Sequence, residues 1–414
     1  MKRKILVIGS GGREHALCKK LLESPHVETV FCAKGNAGMK KDNIQLVDIS
    51  EEAHDELIAF AKETKIDWVL VGPEVPLMNG IVDDFKAVGI PIFGPSKDAA
   101  LIEGSKEFAK KIMMKYNVPT AKYQGFSDYE EAVSYVEEQG LPIVIKEDGL
   151  AAGKGVTIVE TKEEAQQVLK EVLVDVSSRV VIEEFLIGRE FSLLSFVNET
   201  GFYPMVAAKD HKAIFDGDKG PNTGGMGAYS PVDYVTEDIQ QTVIKDIIEP
   251  TINGMKEEGR SFEGILYTGL ILTKEGPKVI EYNARFGDPE TQVLLERLDS
   301  DLCEVIEVLL KQEVPEIKWK NKGVSLGVVV SAKGYPGEYE KGTLLPEFED
   351  REDIKIIYSG VAQTEQGLAL NGGRVFLVAV SEATQEEAHG KVYGWLEKQN
   401  LNQFYYRTDI GTIK

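Results

Sequence analysis

The first hundred residues alternate short apolar runs with amphipathic stretches, and that alternation restricts the chain to few folds. Runs at 5–9, 29–33, 67–72 and 91–93 predict strands, while 13–23, 51–64 and 76–88 repeat apolar residues at helical spacing between them. Strands separated by helices need right-handed crossovers, hence a mostly parallel sheet with ligands at the strand C-terminal ends.

From Gly104 the pattern changes. Helical spacing covers 105–116 and 129–139, strands are predicted at 142–146, 156–160 and 180–185, and a helix at 163–174 lies between the last two. Longer strand-like runs follow at 190–198, 202–209, 265–273 and 278–283, then one long helix over 291–310. A β-rich stretch (324–331, 354–358, 374–380) closes with a helix over 386–398. The expected fold class is α/β and α+β multidomain. The expected division is an N-terminal parallel-sheet unit (1–103), a central region (104–320) with a small lid at about 120–188, and a small β-rich C-terminal unit (321–414).

Composition removes several functions. With 47 Lys+Arg against 68 Asp+Glu the net charge is −21, which argues against binding nucleic acid or an anionic membrane. The acidity is uneven, because residues 9–20 and 104–115 come to +2 and +3. Three scattered cysteines, Cys18, Cys32 and Cys303, are too few for a disulfide framework or a Cys-rich zinc site. The apolar stretch after the basic start is five residues long and reads as a strand, not a signal peptide. A soluble, cytoplasmic protein is expected.

Three motifs can carry chemistry. Gly9-Ser-Gly11-Gly12-Arg13-Glu14 follows a strand and opens a helix, where backbone N–H groups can hold a phosphate. As a dinucleotide fingerprint it lacks its third glycine, which is Glu14, and its ribose-binding acid. A small phosphate ester held by the loop and Arg13 fits better; a simple tight turn is the alternative. Asp148-Gly149-Leu-Ala-Ala-Gly153-Lys154-Gly155 lies between strands and is too short for a Walker A loop. It reads as a flap over a triphosphate, or as a plain hairpin turn. Glu281 and Asn283, two apart on a strand, share a face and can meet one hard cation such as Mg²⁺. Arg285 and Asp288 follow, so metal, phosphate and carboxylate could share one site; the alternative is a solvated strand end. The glycine-rich stretch 217–227 reads as a long functional loop. His211 before it is given no catalytic role, and the cysteines are assigned to the core.

Taken together, Gly9-Ser-Gly-Gly-Arg-Glu-His-Ala16, Gly35-Asn-Ala-Gly38, Val71-Gly-Pro-Glu-Val-Pro-Leu77, Asp148 to Gly155, Gly220-Pro-Asn-Thr-Gly-Gly-Met-Gly-Ala-Tyr-Ser-Pro231 and Arg285-Phe-Gly-Asp-Pro-Glu290 resemble the phosphoribosylamine–glycine ligases, or glycinamide ribonucleotide synthetases, of the ATP-grasp superfamily. The resemblance runs nearly the whole chain in order. It implies a central ATP-grasp fold and the second step of de novo purine synthesis. ATP, glycine and 5-phosphoribosylamine would give glycinamide ribonucleotide, ADP and phosphate through a glycyl phosphate, with Mg²⁺ or Mn²⁺ and no protein nucleophile.

By the same resemblance, Lys106, Lys146 and the flap residues Gly149, Gly153, Lys154 and Gly155 would meet the nucleotide's phosphates. Glu183, Glu184, Phe185 and Leu186 would present backbone to adenine, and Glu190 would hold the ribose. Glu281 and Asn283 match the metal ligands, Arg285 the group facing the glycine carboxylate and acyl phosphate, and Asp210 the partner of the glycine ammonium. Phosphoribosylamine would rest on Gly11, Gly12, Arg13, Asn36 and Glu74. One departure is Glu147, where a small residue is expected after the strand lysine; strand alternation turns it away from the phosphates. The partners implied are small molecules acting on a monomer. Two rivals remain: another ATP-grasp purine-pathway ligase, activating formate or bicarbonate, and a dinucleotide-binding oxidoreductase or nucleotide-sensing module.

Overall fold

The computed structural model describes residues 2–149, 155–175, 177–349 and 351–412. The first unit is a five-stranded, wholly parallel sheet with the strand order Gln45–Val47, Val27–Lys34, Arg3–Gly9, Trp68–Val71, Ile92–Phe93. Its central strand carries Ile5, Leu6, Val7 and Ile8, all buried, because layers pack on both faces of the sheet. The predicted helix 76–88 is two helices, Glu74–Asn79 and Ile81–Ala87. The break falls at Gly80, whose φ of +89° suits glycine and ends the first helix.

The lid is a four-stranded antiparallel sheet, ordered Tyr123–Phe126, Val180–Glu184, Ile143–Glu147, Val156–Val159, backed by the helices Tyr129–Gln139 and Lys162–Val172. It has a separate small core around Phe126, Ile145, Leu169 and Ile182. The strand Tyr123–Phe126 escaped the sequence pattern: it is four residues long with only Phe126 buried.

The larger central sheet runs Gly201–Pro204, Arg189–Asn198, Gly264–Thr273, Gly276–Asn283, again antiparallel. Here three expectations are corrected. The predicted strand 202–209 divides into Gly201–Pro204 and Lys209–Asp210, which join different sheets. The loop 217–227 is partly a hairpin, with Ala213–Phe215 paired to Lys219–Asn222. The long helix 291–310 is two helices, Glu290–Arg297 and Leu302–Leu310. Asp301 starts the second by accepting from the Cys303 and Glu304 N–H groups, an N-cap preference that outweighs continued apolar spacing.

The sheet of the C-terminal unit is not confined to the chain's last part. Its order is Lys209–Asp210, Gly227–Ser230, Val324–Ala332, Arg374–Glu382, Lys355–Tyr358, with Phe404–Tyr405 also paired to Val324–Ala332. Two of its strands therefore come from the central region, and Gly227–Ser230 ties the strand carrying Asp210 to the C-terminal strands. The helix Gln385–Leu396 packs on its strands. No helix among the described residues is long and apolar enough to cross a membrane. All three cysteines are buried.

First and third units are clasped at Tyr358. His15 Nδ1 accepts from the Tyr358 N–H at 2.8 Å, and the Asn36 amide donates to the Tyr358 carbonyl at 3.1 Å. His15 Nε2 donates to Asp42 at 2.8 Å. Burial pulls the His15 pKa below its ordinary 6.5, against the attraction of Asp42. The unfolded chain then takes up this proton first, so the contribution to stability is lost as pH falls below about 6.5. His15→Asn keeps an acceptor without a titrating ring. Urea midpoints measured at neutral and mildly acid pH should fall less with acid in this variant than in the wild type; equal falls would refute the assignment.

Candidate active site

One cavity of about 1190 Å³ opens where the first sheet, the lid, the central sheet and the C-terminal sheet meet. On one side is the turn after the first strand. The carboxylate of Glu14 accepts from the Gly11 N–H at 2.7 Å and pairs with Arg13. It also fills the space beside Gly72, where a Cβ would come within 1.9 Å of Glu14 Oε1. Glu14 therefore replaces the third glycine of a dinucleotide loop with an acid that orders the turn and aims Arg13. Arg13 Nη1 donates across to the Phe286 carbonyl at 3.1 Å, linking the turn to the central region.

The opposite wall comes from the lid. Val144 and Glu183 are register partners, so Lys146, two residues on, lies diagonal to Glu183 on the same face. Their charges sit 3.0 Å apart, and Lys146 also donates to the Ile280 carbonyl at 2.9 Å. A second buried lysine, Lys110, is 3.0 Å from the other Glu183 oxygen; burial, opposed by Glu183, brings its pKa down to about 8. Lys106 donates to the Gly149 carbonyl at 2.8 Å, where the flap begins. Phe185, Leu186 and Glu190 line the mouth.

Between these walls lies the end of the strand Gly276–Asn283. Glu281 is opposite Gly269, where a Cβ would come within 3.1 Å of Glu281 Cγ, so glycine leaves the carboxylate room. Lys212 donates to Glu281 at 3.1 Å. Attraction by Lys212, and by Lys146 and Lys106 behind it, outweighs burial and holds the Glu281 pKa at about 2. Asn283 is opposite Tyr267, whose hydroxyl donates to Glu290 at 2.8 Å. Burial, then repulsion from Asp210, raises Glu290 to about 7.

Arg285 is held between two acids: Nε donates to Glu74 at 3.1 Å, and Nη2 lies 3.0 Å from Glu103. Glu103 also accepts from the Ala284 N–H at 2.7 Å, which fixes the backbone before Arg285. Burial pushes both carboxyls up. At Glu74 the Arg285 and Arg13 cations reverse it, leaving that group below its ordinary value, while Glu103 stays raised. Asp288 receives Arg374 Nη2 at 2.8 Å.

The cavity thus brings together Gly11, Arg13, Glu74, Lys106, Lys146, Gly149, Gly155, residues 183–186, Glu190, Asp210, Glu281, Asn283 and Arg285. Gly153 and Lys154 lie outside the described residues. Gly12 packs against the third unit instead, where a Cβ would meet Ser359 Oγ at 2.5 Å, and the Asn36 side chain is engaged with Ser10, Gly38 and Tyr358. Glu147 is exposed and not part of the wall, as strand alternation requires. His211 is buried beside Asp218. Glu103, Lys110 and Arg374 carried no signal beyond ordinary helix or strand positions. Only Lys212, two residues after Asp210, could have been singled out by spacing.

An N-terminal parallel sheet, a lidded antiparallel centre and lysines converging on a strand-end Glu-x-Asn define an ATP-grasp protein. Family models agree along the chain: the N domain of phosphoribosylglycinamide synthetase matches residues 3–103, its ATP-grasp (A) domain 104–291 and its C domain 325–413. The chain belongs to the phosphoribosylglycinamide synthetase family. The phosphoribosylamine–glycine ligase of Listeria innocua is 54% identical over 99% of both chains, and that of Lactococcus lactis 53% identical over the same shares. The crystal structure of the Thermotoga maritima phosphoribosylamine–glycine ligase superposes with a TM-score of 0.84 at 33% identity, covering 98% of this chain and all of that one. A biotin carboxylase from Campylobacter jejuni shares the fold alone, with a TM-score of 0.73 at 15% identity over 99% of this chain and 94% of its own.

Proposed function

We propose that this protein joins glycine to 5-phosphoribosylamine, as the relatives' name describes, at the expense of ATP, and that the cavity where the sheets meet is where it does so. The observation that carries this reading is the single cavity wall that runs from the Gly11–Arg13 turn through Arg285 to Glu281 and the lysines. A phosphate ester, an acyl group and a nucleotide can all reach one point there.

A glycine carboxylate oxygen attacks the γ-phosphorus while the bond to the β-phosphate oxygen breaks and ADP leaves. The ribosylamine nitrogen then attacks the glycyl carbonyl, the carbon–oxygen bond to phosphate breaks, and the nitrogen loses a proton. Neither step needs a protein nucleophile, so positioning and charge neutralisation supply the catalysis. Lys106 and Lys146, with Gly153 and Lys154 of the flap, hold the nucleotide's phosphates; residues 183–186 face adenine and Glu190 the ribose. Arg285 lies against the carboxylate and then the acyl phosphate, Asp210 against the glycine ammonium, and Gly11, Gly12, Arg13, Asn36 and Glu74 frame the phosphoribosyl group. Gly12 and Asn36 contribute by shaping the turn.

Glu281, held ionised, and Asn283 on the same strand face offer hard oxygen donors that fit Mg²⁺ or Mn²⁺. Two protein ligands suit an ion that keeps waters and takes phosphate oxygens for the rest. Such an ion supplies charge neutralisation at the transferring phosphoryl group.

Identifying the product from glycine, ATP and freshly generated phosphoribosylamine by mass spectrometry tests the reading. ADP release with formate or bicarbonate, and none with glycine plus ribosylamine, would overturn it. Arg13→Ala should chiefly raise the KM for phosphoribosylamine and spare ATP affinity. An unchanged KM would move the phosphate pocket elsewhere.

A further inference from the structure

The segment 404–412 reaches the loop that carries Asp210 and Lys212, and Arg407 lies at the contact. Its side chain is wholly buried. Nε and Nη2 donate to the two Asp409 oxygens at 2.7 Å each, Nη2 is 2.9 Å from Asp218 Oδ1, and Nη1 donates to the Ala213 carbonyl at 3.0 Å. The neighbouring acids add to the seam: Asp409 accepts from the Gly217 N–H and Asp216 from the Thr408 N–H, both at 2.8 Å.

Two short paths lead from this guanidinium to the cavity. Ala213, whose carbonyl it holds, directly follows Lys212, and Lys212 reaches Glu281. Thr223 fixes the Lys212 carbonyl from the other side with its N–H and hydroxyl, both at 2.8 Å. Asp218 in turn lies 3.4 Å from Nδ1 of His211, the residue between Asp210 and Lys212. A buried cation matched by acids from two segments fixes their relative placement, because moving either one strands a buried charge.

We propose that Arg407 is a positioning residue for ligation: through the Ala213 carbonyl, and through Asp218 against His211, it sets the backbone that directs Asp210 at the glycine ammonium. This rests on the assignment of Asp210 to the glycine ammonium. A displacement of about 1 Å in a binding group can cost up to roughly a hundredfold, so a loosened seam reads out in glycine kinetics before nucleotide binding.

The full-length chain carrying Asp218→Asn tests this without stripping Arg407 of Asp409, and Arg407→Lys keeps the charge while losing the fork. Asp218→Asn should raise the KM for glycine by roughly tenfold, Arg407→Lys by less, and Arg407→Met by more where it folds. ATP affinity, read by titration with a fluorescent ATP analogue, should stay at the wild-type value in Asp218→Asn and Arg407→Lys. A glycine KM unchanged in both folded variants, or a parallel loss of ATP affinity, would overturn the proposal. A wild-type protein that releases no ADP with glycine and phosphoribosylamine would instead overturn the function on which it rests.

Discussion

Glu281→Gln is expected to lower turnover by roughly a thousandfold, since removing the ionised carboxylate proposed to hold the metal forfeits several kcal/mol of charge stabilisation at the transferring phosphoryl group. The substitution keeps the side chain's size beside Gly269. It leaves Lys212 near Asp210 and Glu190, which also attract that ammonium, so the fold should hold and the melting temperature should barely move. Raising the magnesium concentration should recover part of the rate by mass action. Near-normal turnover at ordinary magnesium would remove Glu281 from the metal site.

Arg285→Lys is the second large effect, a loss in kcat/KM of roughly 10²–10³, comparable to removing a donor from an oxyanion site. Lysine retains the positive charge, so Glu74 and Glu103 are not left as uncompensated buried acids. What it loses is the planar fork that faces both carboxylates while donating to the Phe286 carbonyl at 3.2 Å. In the proposed mechanism the acyl phosphate forms and is consumed at this group, so the loss should fall on kcat at saturating ATP and glycine. A rise in KM alone, with kcat intact, would make Arg285 a ground-state binding group only.

The acidic surplus reaches into the cavity itself, where, among the described residues, fourteen Asp and Glu line the wall against nine Lys and Arg. The chain carries a net −21, yet Lys106, Lys146 and Lys212 converge on Glu281 and Arg13 and Arg285 meet at the Phe286 carbonyl. The cations are therefore grouped at two points of that wall, where the proposed phosphate and carboxylate groups would be neutralised, and do not form a general basic surface.

Much of the site was legible because its residues are adjacent in sequence or two apart on a strand. The Gly9–Glu14 turn, the Glu281-x-Asn283-x-Arg285 run and the inward Lys146 with outward Glu147 all follow from local periodicity, which backbone sterics impose. The parallel first sheet follows in the same way from its alternating pattern. The breaks were harder: Gly80 and Asp301 each end a run that apolar spacing alone would continue, and there local backbone chemistry prevails over periodicity.

What the sequence by itself determined was the order of the elements, the chemistry of the motifs and the family resemblance. Only the tertiary structure decided that Lys209–Asp210 and Gly227–Ser230 join the C-terminal sheet. It alone placed Glu103 against Arg285, Lys110 against Glu183, and Arg407 behind Lys212. These pairs are 73 to 195 residues apart in the chain, so no local pattern records them. The first two exist because a buried charge must find a partner in the folded interior, and Arg407 lies where it does because it meets Asp218; which partner each finds is fixed by how the sheets pack.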